Sequence, residues 1–223
     1  MTAVYVLRHP ETTWNVDRRY QGRLEAPLSL EGEQQANMAA RNFRGQNLAA
    51  VYSSPLSRSR HLAALIADVT GNEVTIDNRL TEIGQCPWEA LEVGEVRRRY
   101  PNLFAQWYSA PDSVQFPSGE SVHDVWRRSQ SALADIFARH QDADVAVITH
   151  SVVVMALACA ALSLDLRHLH SIRASNAGIT ILCGQRAPGY LLELNNTSAI
   201  HAEPIPRAAA HNCSSDKDVK ATQ

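Results

Sequence analysis

Arg8 and His9 follow directly on the apolar run 4–7, and a second imidazole, His150, follows the apolar run 145–149. Between them along the chain lie Arg58, in the stretch SSPLSR, and Glu82, shortly after NRL. Each stands at the end of a predicted strand or the start of a predicted helix. Two imidazoles, two guanidiniums and one carboxylate can therefore meet at one edge of a sheet. Phosphoryl transfer needs such a set, because the transferred group spreads negative charge over its oxygens and catalysis is mostly positioning and electrostatics. A guanidinium fork matches that geometry and keeps its proton. A neutral imidazole can attack phosphorus and form a phosphohistidine. The second imidazole can donate to the oxygens. A carboxylic acid can protonate the leaving alkoxide and then take a proton from water.

Taken singly, each residue has a plainer reading. Arg8-His9 reads as an exposed cation beside a satisfied histidine. Arg58 reads as a surface residue like Arg60, Glu82 as solvated, and His150 as a helix N-terminal residue bonded to backbone. The joint placement carries the chemical reading, and the elements that produce it follow from the pattern. The short apolar run 4–7 reads as a strand buried on both faces. Ser29 caps a helix over 30–43. A strand over 49–53 leads to a helix from Ser57, with Leu62, Leu65, Ile66 and Val69 on one face and Gly71 at its end. A short strand covers 74–76. Ser121 and Asp124 form a capping-box pattern that opens a helix reaching about His140. A strand over 145–149, a helix over 152–162 and a hairpin of 178–183 with 190–194 complete the rhythm.

Residues 84–118 break it. Trp88, Tyr100, Trp107, Tyr108 and four prolines (Pro87, Pro101, Pro111, Pro117) predict an inserted helical cap of short helices and loops. The fold class that results is α/β, a three-layer α/β/α sandwich on a mainly parallel sheet. Ligands in such sheets bind beyond the carboxyl ends of the strands, where strand order reverses, and both histidines occupy that position. One domain is expected over 1–205, followed by a disordered tail over 206–223.

Bulk properties exclude other classes. The chain has 223 residues, 45% hydrophobic and 20% charged, with a net charge of -2, so no global field draws in nucleic acid or an anionic membrane. Any anion site must be built locally. The four cysteines, Cys86, Cys159, Cys183 and Cys213, are scattered without a CxxC pair, as expected of thiols in a reducing compartment. No secretory signal is visible, and a cytoplasmic location is expected. The apolar stretch 143–162 is about long enough to span a bilayer, but Thr149, His150 and Ser151 in its middle favour a strand, a polar turn and a helix. His168 and His170 form an HxH pair that reads as a surface pair, since no further ligands accompany it, and no metal is expected.

The stretch LRHPETTWN, with RYQGRLEAPLSLEGEQQA after it, resembles the opening signature of the histidine phosphatase superfamily, phosphoglycerate mutase branch. VYSSPLSRSRHLA, RLTEIGQCPWEAL, FPSGES and VAVITHS are similar to its later blocks, in order and at normal spacing, so the resemblance covers roughly residues 3–200. It implies that His9 is the phosphorylated nucleophile, that Arg8, Arg58 and His150 hold phosphate, and that Glu82 gives and takes the proton. It implies further that Asn15 and Gln21, in the YQG segment with Gly22, touch phosphate or orient the first loop, and that the Ser151 amide adds a donor. The family usually has Gly after the first His, where this chain has Pro10, and Ser-His-Gly at the second, where this chain has Thr149, His150 and Ser151.

Within that branch the chain looks most like the metal-independent phosphoserine phosphatases, which implies a phosphatase of a small phosphorylated metabolite without a cofactor. Some of that group carry a histidine at the position of Gln85 to hold the substrate carboxylate, so phosphoserine and sugar phosphates both stay open as substrates. The stretch IGQCPWEAL after Glu82 is short and has no cation, which favours hydrolysis over a cofactor-dependent mutase. A non-catalytic phosphate- or protein-binding module of the same fold is the remaining alternative. A homodimer is possible through sheet edges or the apolar cap.

Overall fold

Alternate residues of the first strand, β1 (Thr2–Arg8), face opposite ways: Val4 and Val6 enter one core, Ala3, Tyr5 and Leu7 the other. β4 (Asp144–Thr149) does the same, with Val145 and Val147 on the first side and Ala146 and Ile148 on the second. A strand apolar on both faces needs helices on both. The computed structural model of the chain, which describes residues 1–201, has that arrangement. α2 (Leu30–Asn42) and α3 (Ser57–Thr70) cover the face of Tyr5, through Ala36, Ala39, Leu62 and Ile66. α6 (Val122–Arg139) and α7 (Ser151–Ala161) cover the face of Val4, through Val125, Leu133, Val153 and Leu157.

The sheet has six strands in the order β3-β2-β4-β1-β5-β6, with β2 at Leu48–Ser53, β3 at Val74–Ile76, β5 at Ile179–Gly184 and β6 at Tyr190–Asn196. Pairs β3/β2, β2/β4 and β4/β1 are parallel, while β5 runs antiparallel to both its neighbours. The α/β sandwich on a mainly parallel sheet is thus the observed fold. The predicted elements fall where the sequence pattern puts them. Ser29 Oγ accepts from Gly32 N at 2.9 Å, and Gly71 ends α3 in the left-handed region at φ 71. Ser121 and Asp124 close a reciprocal capping box on α6. One short helix was not in the pattern: α1 (Thr13–Val16), a single turn just after His9, closed by a capping box between Thr12 and Asn15. Residues 143–162 are a strand, a turn at His150 and α7. Among the described residues no helix is long and apolar enough to cross a membrane. The tail read over 206–223 lies outside the described residues.

The cap holds α4 (Val93–Arg99), α5 (Pro101–Ser109) and a 3-10 turn over Pro111–Ser113. Trp88 is its centre, fully buried, with ring centroids 4.9 Å from Tyr20 and Phe116, 6.1 Å from Phe104 and 6.4 Å from Trp107. This aromatic cluster joins the first core, so the cap is not free to swing away without exposing it. At its base two backbones touch. A Cβ on Gly119 would lie 2.3 Å from the Gly84 carbonyl oxygen, and Glu120 N donates to that same oxygen at 3.0 Å.

Gly119→Ala must push these backbones apart and should lower the free energy of unfolding by ~1–3 kcal/mol. Gly94→Ala, in the first turn of α4 with only ordinary contact at 3.7 Å, should be neutral or gain up to ~1 kcal/mol. Urea denaturation of the two variants measures both signs; a Gly119→Ala protein as stable as the parent would contradict the packing described.

Candidate active site

Register brings the two histidines together. β1 and β4 are parallel neighbours with Arg8 opposite Thr149, so the next residues, His9 and His150, leave the sheet side by side. His9 N still donates to the Thr149 carbonyl at 2.9 Å, extending the ladder by one step. The two rings lie 5.2 Å apart between centroids, tilted by 55°. β2 adds the third strand end: Ser54 N donates to the Ile148 carbonyl at 3.0 Å, and Ser54 Oγ meets His150 Nε2 at 2.7 Å.

His9 is buried, and its Nδ1 lies 2.7 Å from the carbonyl oxygen of Pro10. A carbonyl only accepts, so Nδ1 carries the proton and a neutral ring keeps its lone pair on Nε2. Burial first, then the charges of Arg8 and Arg58, hold His9 well below the ordinary histidine range. The ring is therefore neutral at pH 7. Proline in place of glycine costs an amide but keeps the carbonyl that fixes this tautomer. His150 is likewise held far below its ordinary range, by burial and then by Arg58, His9 and Arg8. It is fully buried beside the His9 ring, and its Nδ1 has no partner in the protein.

Two guanidiniums flank the pair. Arg58 is 1% exposed and gives NH2 to the Gly22 carbonyl at 2.7 Å and NH1 to the Leu24 carbonyl at 2.8 Å. Arg8 gives NH1 to the Ala174 carbonyl at 2.7 Å. Both are held by neutral backbone oxygens, and the Nε of each is buried without a partner. Desolvation lowers both pKa values, Arg8 to about 10, against the raising influence of Glu82, and both stay charged at neutral pH. Glu25 positions Arg58 from outside the site. Its carboxylate accepts from Ser57 N at 3.1 Å, supplying the cap that α3 lacks from its own N-cap residue, Leu56.

Glu82 is 6% exposed, against the solvated reading it has alone. It accepts from Ile83 N at 2.9 Å and from Ser151 Oγ at 3.0 Å. Ser151 thus engages the site through its hydroxyl as well as lying at the start of α7. The segment carrying Glu82 is pinned at three points: Thr149 Oγ1 donates to the Leu80 carbonyl at 2.6 Å, Arg128 NH1 to the Arg79 carbonyl at 2.7 Å, and Gly84 N to Glu120 Oε2 at 3.2 Å.

Above these groups lies a cleft of about 190 Å3, lined by Arg8, His9, Asn15, Gln21, Gly22, Arg58, Glu82, Gln85 and Ser151 from the sequence set. It is smaller than the ~300–1,000 Å3 of drug-sized sites and suits a small metabolite. Asn15 Oδ1 is used by Thr12 N, Thr12 Oγ1 and Asn176 Nδ2, which leaves its amide NH2 as the group it can offer. Gln21 is buried with Oε1 unpartnered. Gly22 contributes backbone alone: its φ is 50, a Cβ there would meet Glu89 Oε1 at 2.0 Å, and its carbonyl holds Arg58.

The sequence pattern missed the other wall: Arg19, Tyr20, Trp107, Val152, Met155 and His170. His170 corrects the surface reading of the HxH pair. His168 is exposed, but His170 lines the cleft and its Nε2 lies 2.9 Å from the Trp107 carbonyl. The pattern also missed Asn176, whose Nδ2 donates to the His9 carbonyl at 3.2 Å as well as to Asn15. No group of His, Cys, Asp and Glu among the described residues is arranged to hold a metal ion.

Comparison with known proteins agrees with this geometry. The profile of the "Histidine phosphatase superfamily (branch 1)" matches residues 4–197. Phosphoserine phosphatase 1 of Hydrogenobacter thermophilus is 34% identical over 197 residues, covering 88% of this chain and 93% of that protein. YhfR of Bacillus stearothermophilus superposes with a TM-score of 0.82 at 31% identity, covering 90% of this chain and 100% of the other. A mycobacterial glucosyl-3-phosphoglycerate phosphatase in complex with VO3 superposes at 0.79 with 28% identity, covering 86% and 98%. The paired histidines, the two guanidiniums and the match along nearly the whole chain have one reading: this protein belongs to the histidine phosphatase superfamily, branch 1.

Proposed function

We propose that the protein hydrolyses phosphomonoesters of small metabolites through a phosphohistidine on His9. The observation that supports this most is the hydrogen bond from His9 Nδ1 to the Pro10 carbonyl, which leaves a neutral Nε2 as nucleophile beside two guanidiniums with unspent N–H groups. In the first step the Nε2 lone pair forms the N–P bond as the P–O bond to the alcohol breaks. Arg8, Arg58, Asn15 and Gln21 hold the phosphoryl oxygens, and His150 donates from the nitrogen that has no protein partner. Glu82 gives its proton to the departing oxygen, which leaves as the alcohol. In the second step Glu82, now a carboxylate, takes a proton from water. That water attacks phosphorus, the N–P bond breaks, and inorganic phosphate leaves with His9 neutral again. Ser151, bonded to Glu82, keeps the carboxyl oriented through both steps. The names of relatives support the substrate class: phosphoserine phosphatase and glucosyl-3-phosphoglycerate phosphatase both describe enzymes of phosphorylated metabolites. The thiols of Cys86 and Cys159, which form no disulfide, suit the cytoplasm.

His9→Ala should reduce turnover of p-nitrophenyl phosphate by about a thousandfold or more; near-normal activity would remove the covalent route. Glu82→Gln should cost about a hundredfold or more on alkyl phosphates and less than about tenfold on p-nitrophenyl phosphate, whose leaving group needs no proton. Equal losses would take Glu82 out of the acid role. Turnover should also persist after dialysis against EDTA, and loss of activity there with recovery on adding back a divalent ion would point to a metal enzyme instead.

The neutral imidazoles have a cost in stability. His9 and His150 are uncharged when folded and free to charge when unfolded, so below their ordinary value of 6.5 the unfolded chain binds more protons. Stability is then present above that value and is lost as pH falls, by up to ~1.4 kcal/mol per pH unit for each ring. Urea unfolding at about pH 7.5 and about pH 5.5 should differ by ~2–3 kcal/mol, with the acidic sample weaker. Equal stability at the two values would show that the rings charge in the folded protein.

A further inference from the structure

The cleft wall away from Arg8 and Arg58 is built from groups that hydrogen-bond without charge. His170 gives its Nε2 proton to the Trp107 carbonyl at 2.9 Å, so Nδ1 is an acceptor. Burial lowers the pKa of His170, which keeps the ring neutral and the acceptor available. Tyr20 stands in the same wall, and its hydroxyl meets at 3.3 Å that of Tyr108, which lines the neighbouring hollow; one donates to the other, and the Tyr20 oxygen keeps a free lone pair. Burial raises the Tyr20 pKa, so this phenol stays protonated. Gln85, buried in the same wall, offers a neutral carboxamide. Trp107, 3% exposed, supplies an apolar surface between them.

The remaining cation of this wall is already engaged. Arg19 gives NH1 to the Ala90 carbonyl at 3.0 Å and NH2 to Glu92 at 2.8 Å, with Asp17 at 3.9 Å from Nε. A substrate carboxylate would therefore meet the His170 lone pair and a guanidinium committed elsewhere. An unpaired buried anion is costly, whereas a hydroxyl can donate to one neighbour and accept from another. The cations Arg18 and Arg97 line a separate hollow that shares only Asn15, Arg19 and Tyr20 with the cleft.

We propose that the alcohol released is uncharged and polyhydroxylated, a sugar or polyol, read by His170, Tyr20 and Gln85 rather than held by a cation. This rests on the phosphatase reading above and names the substrate class of the same site. Steady-state kinetics test it on glycerol 3-phosphate, a hexose phosphate, phosphoserine, 3-phosphoglycerate and p-nitrophenyl phosphate. One of the two neutral esters should exceed both acids by about tenfold or more in kcat/KM. His170→Ala and Tyr20→Phe, which keeps the ring that packs on Trp88, should each lower the ratio of kcat/KM for that ester to kcat/KM for p-nitrophenyl phosphate by about fivefold to tenfold. A loss of fold would lower both values together and leave the ratio in place. Normal turnover of p-nitrophenyl phosphate with phosphoserine or 3-phosphoglycerate preferred, or with unchanged ratios in both variants, would overturn this inference alone. Failure to turn over p-nitrophenyl phosphate at all would overturn the phosphatase reading and this inference with it.

Discussion

The hydrogen bond from His9 Nδ1 to the Pro10 carbonyl is the constraint on which the rest of the site depends. An imidazole can act as nucleophile only while one nitrogen holds a lone pair, and burial beside two guanidiniums keeps the His9 ring uncharged. The carbonyl settles which nitrogen keeps the proton. It does so from the residue next in sequence, so the choice survives small movements of the loop. Proline at position 10 serves this contact as well as any residue, because the group that matters is its carbonyl.

Burying Arg58 and Arg8 is expensive, and the fold offsets the cost locally. Carbonyls of the 22–24 loop and of Ala174 accept from the outer nitrogens, while the inner Nε of each is left without a partner. A carboxylate in place of those carbonyls would hold the cations more firmly and cancel the field that draws in an anion. Glu82 is the nearby carboxylate that matters to both, and it is held by Ile83 N and Ser151 Oγ instead of by either guanidinium. The parallel pairing of β1 with β4 does the rest, since a shift of one residue in that register would separate His9 from His150.

Much of this was legible in the sequence, and the reason is physical. Strands buried on both faces read as apolar runs, and the charged residue after such a run stands out because its neighbours exclude it. That is how Arg8, His9 and His150 declare themselves. Ser29, Gly71 and the Ser121–Asp124 pair announce helix ends by side chains that do one thing well. The distal wall is different. Tyr20 and Trp107 look like core residues, and they are partly that, packed around Trp88. His170 sits two residues from His168 in the 3-10 turn Leu166–Ser171, and nothing in the pair tells which ring turns inward. Asn176 lies far along the chain from the His9 carbonyl it braces. Roles set by contacts between distant segments leave no periodic trace.

The central claim concerns one proton on one ring, and nitrogen-15 NMR of histidine-labelled protein observes it directly. The account predicts that His9 at neutral pH is uncharged, with the proton on Nδ1 and Nε2 bare, and remains so as the sample is made mildly acidic. A ring protonated on Nε2, or one carrying both protons at neutral pH, would contradict it.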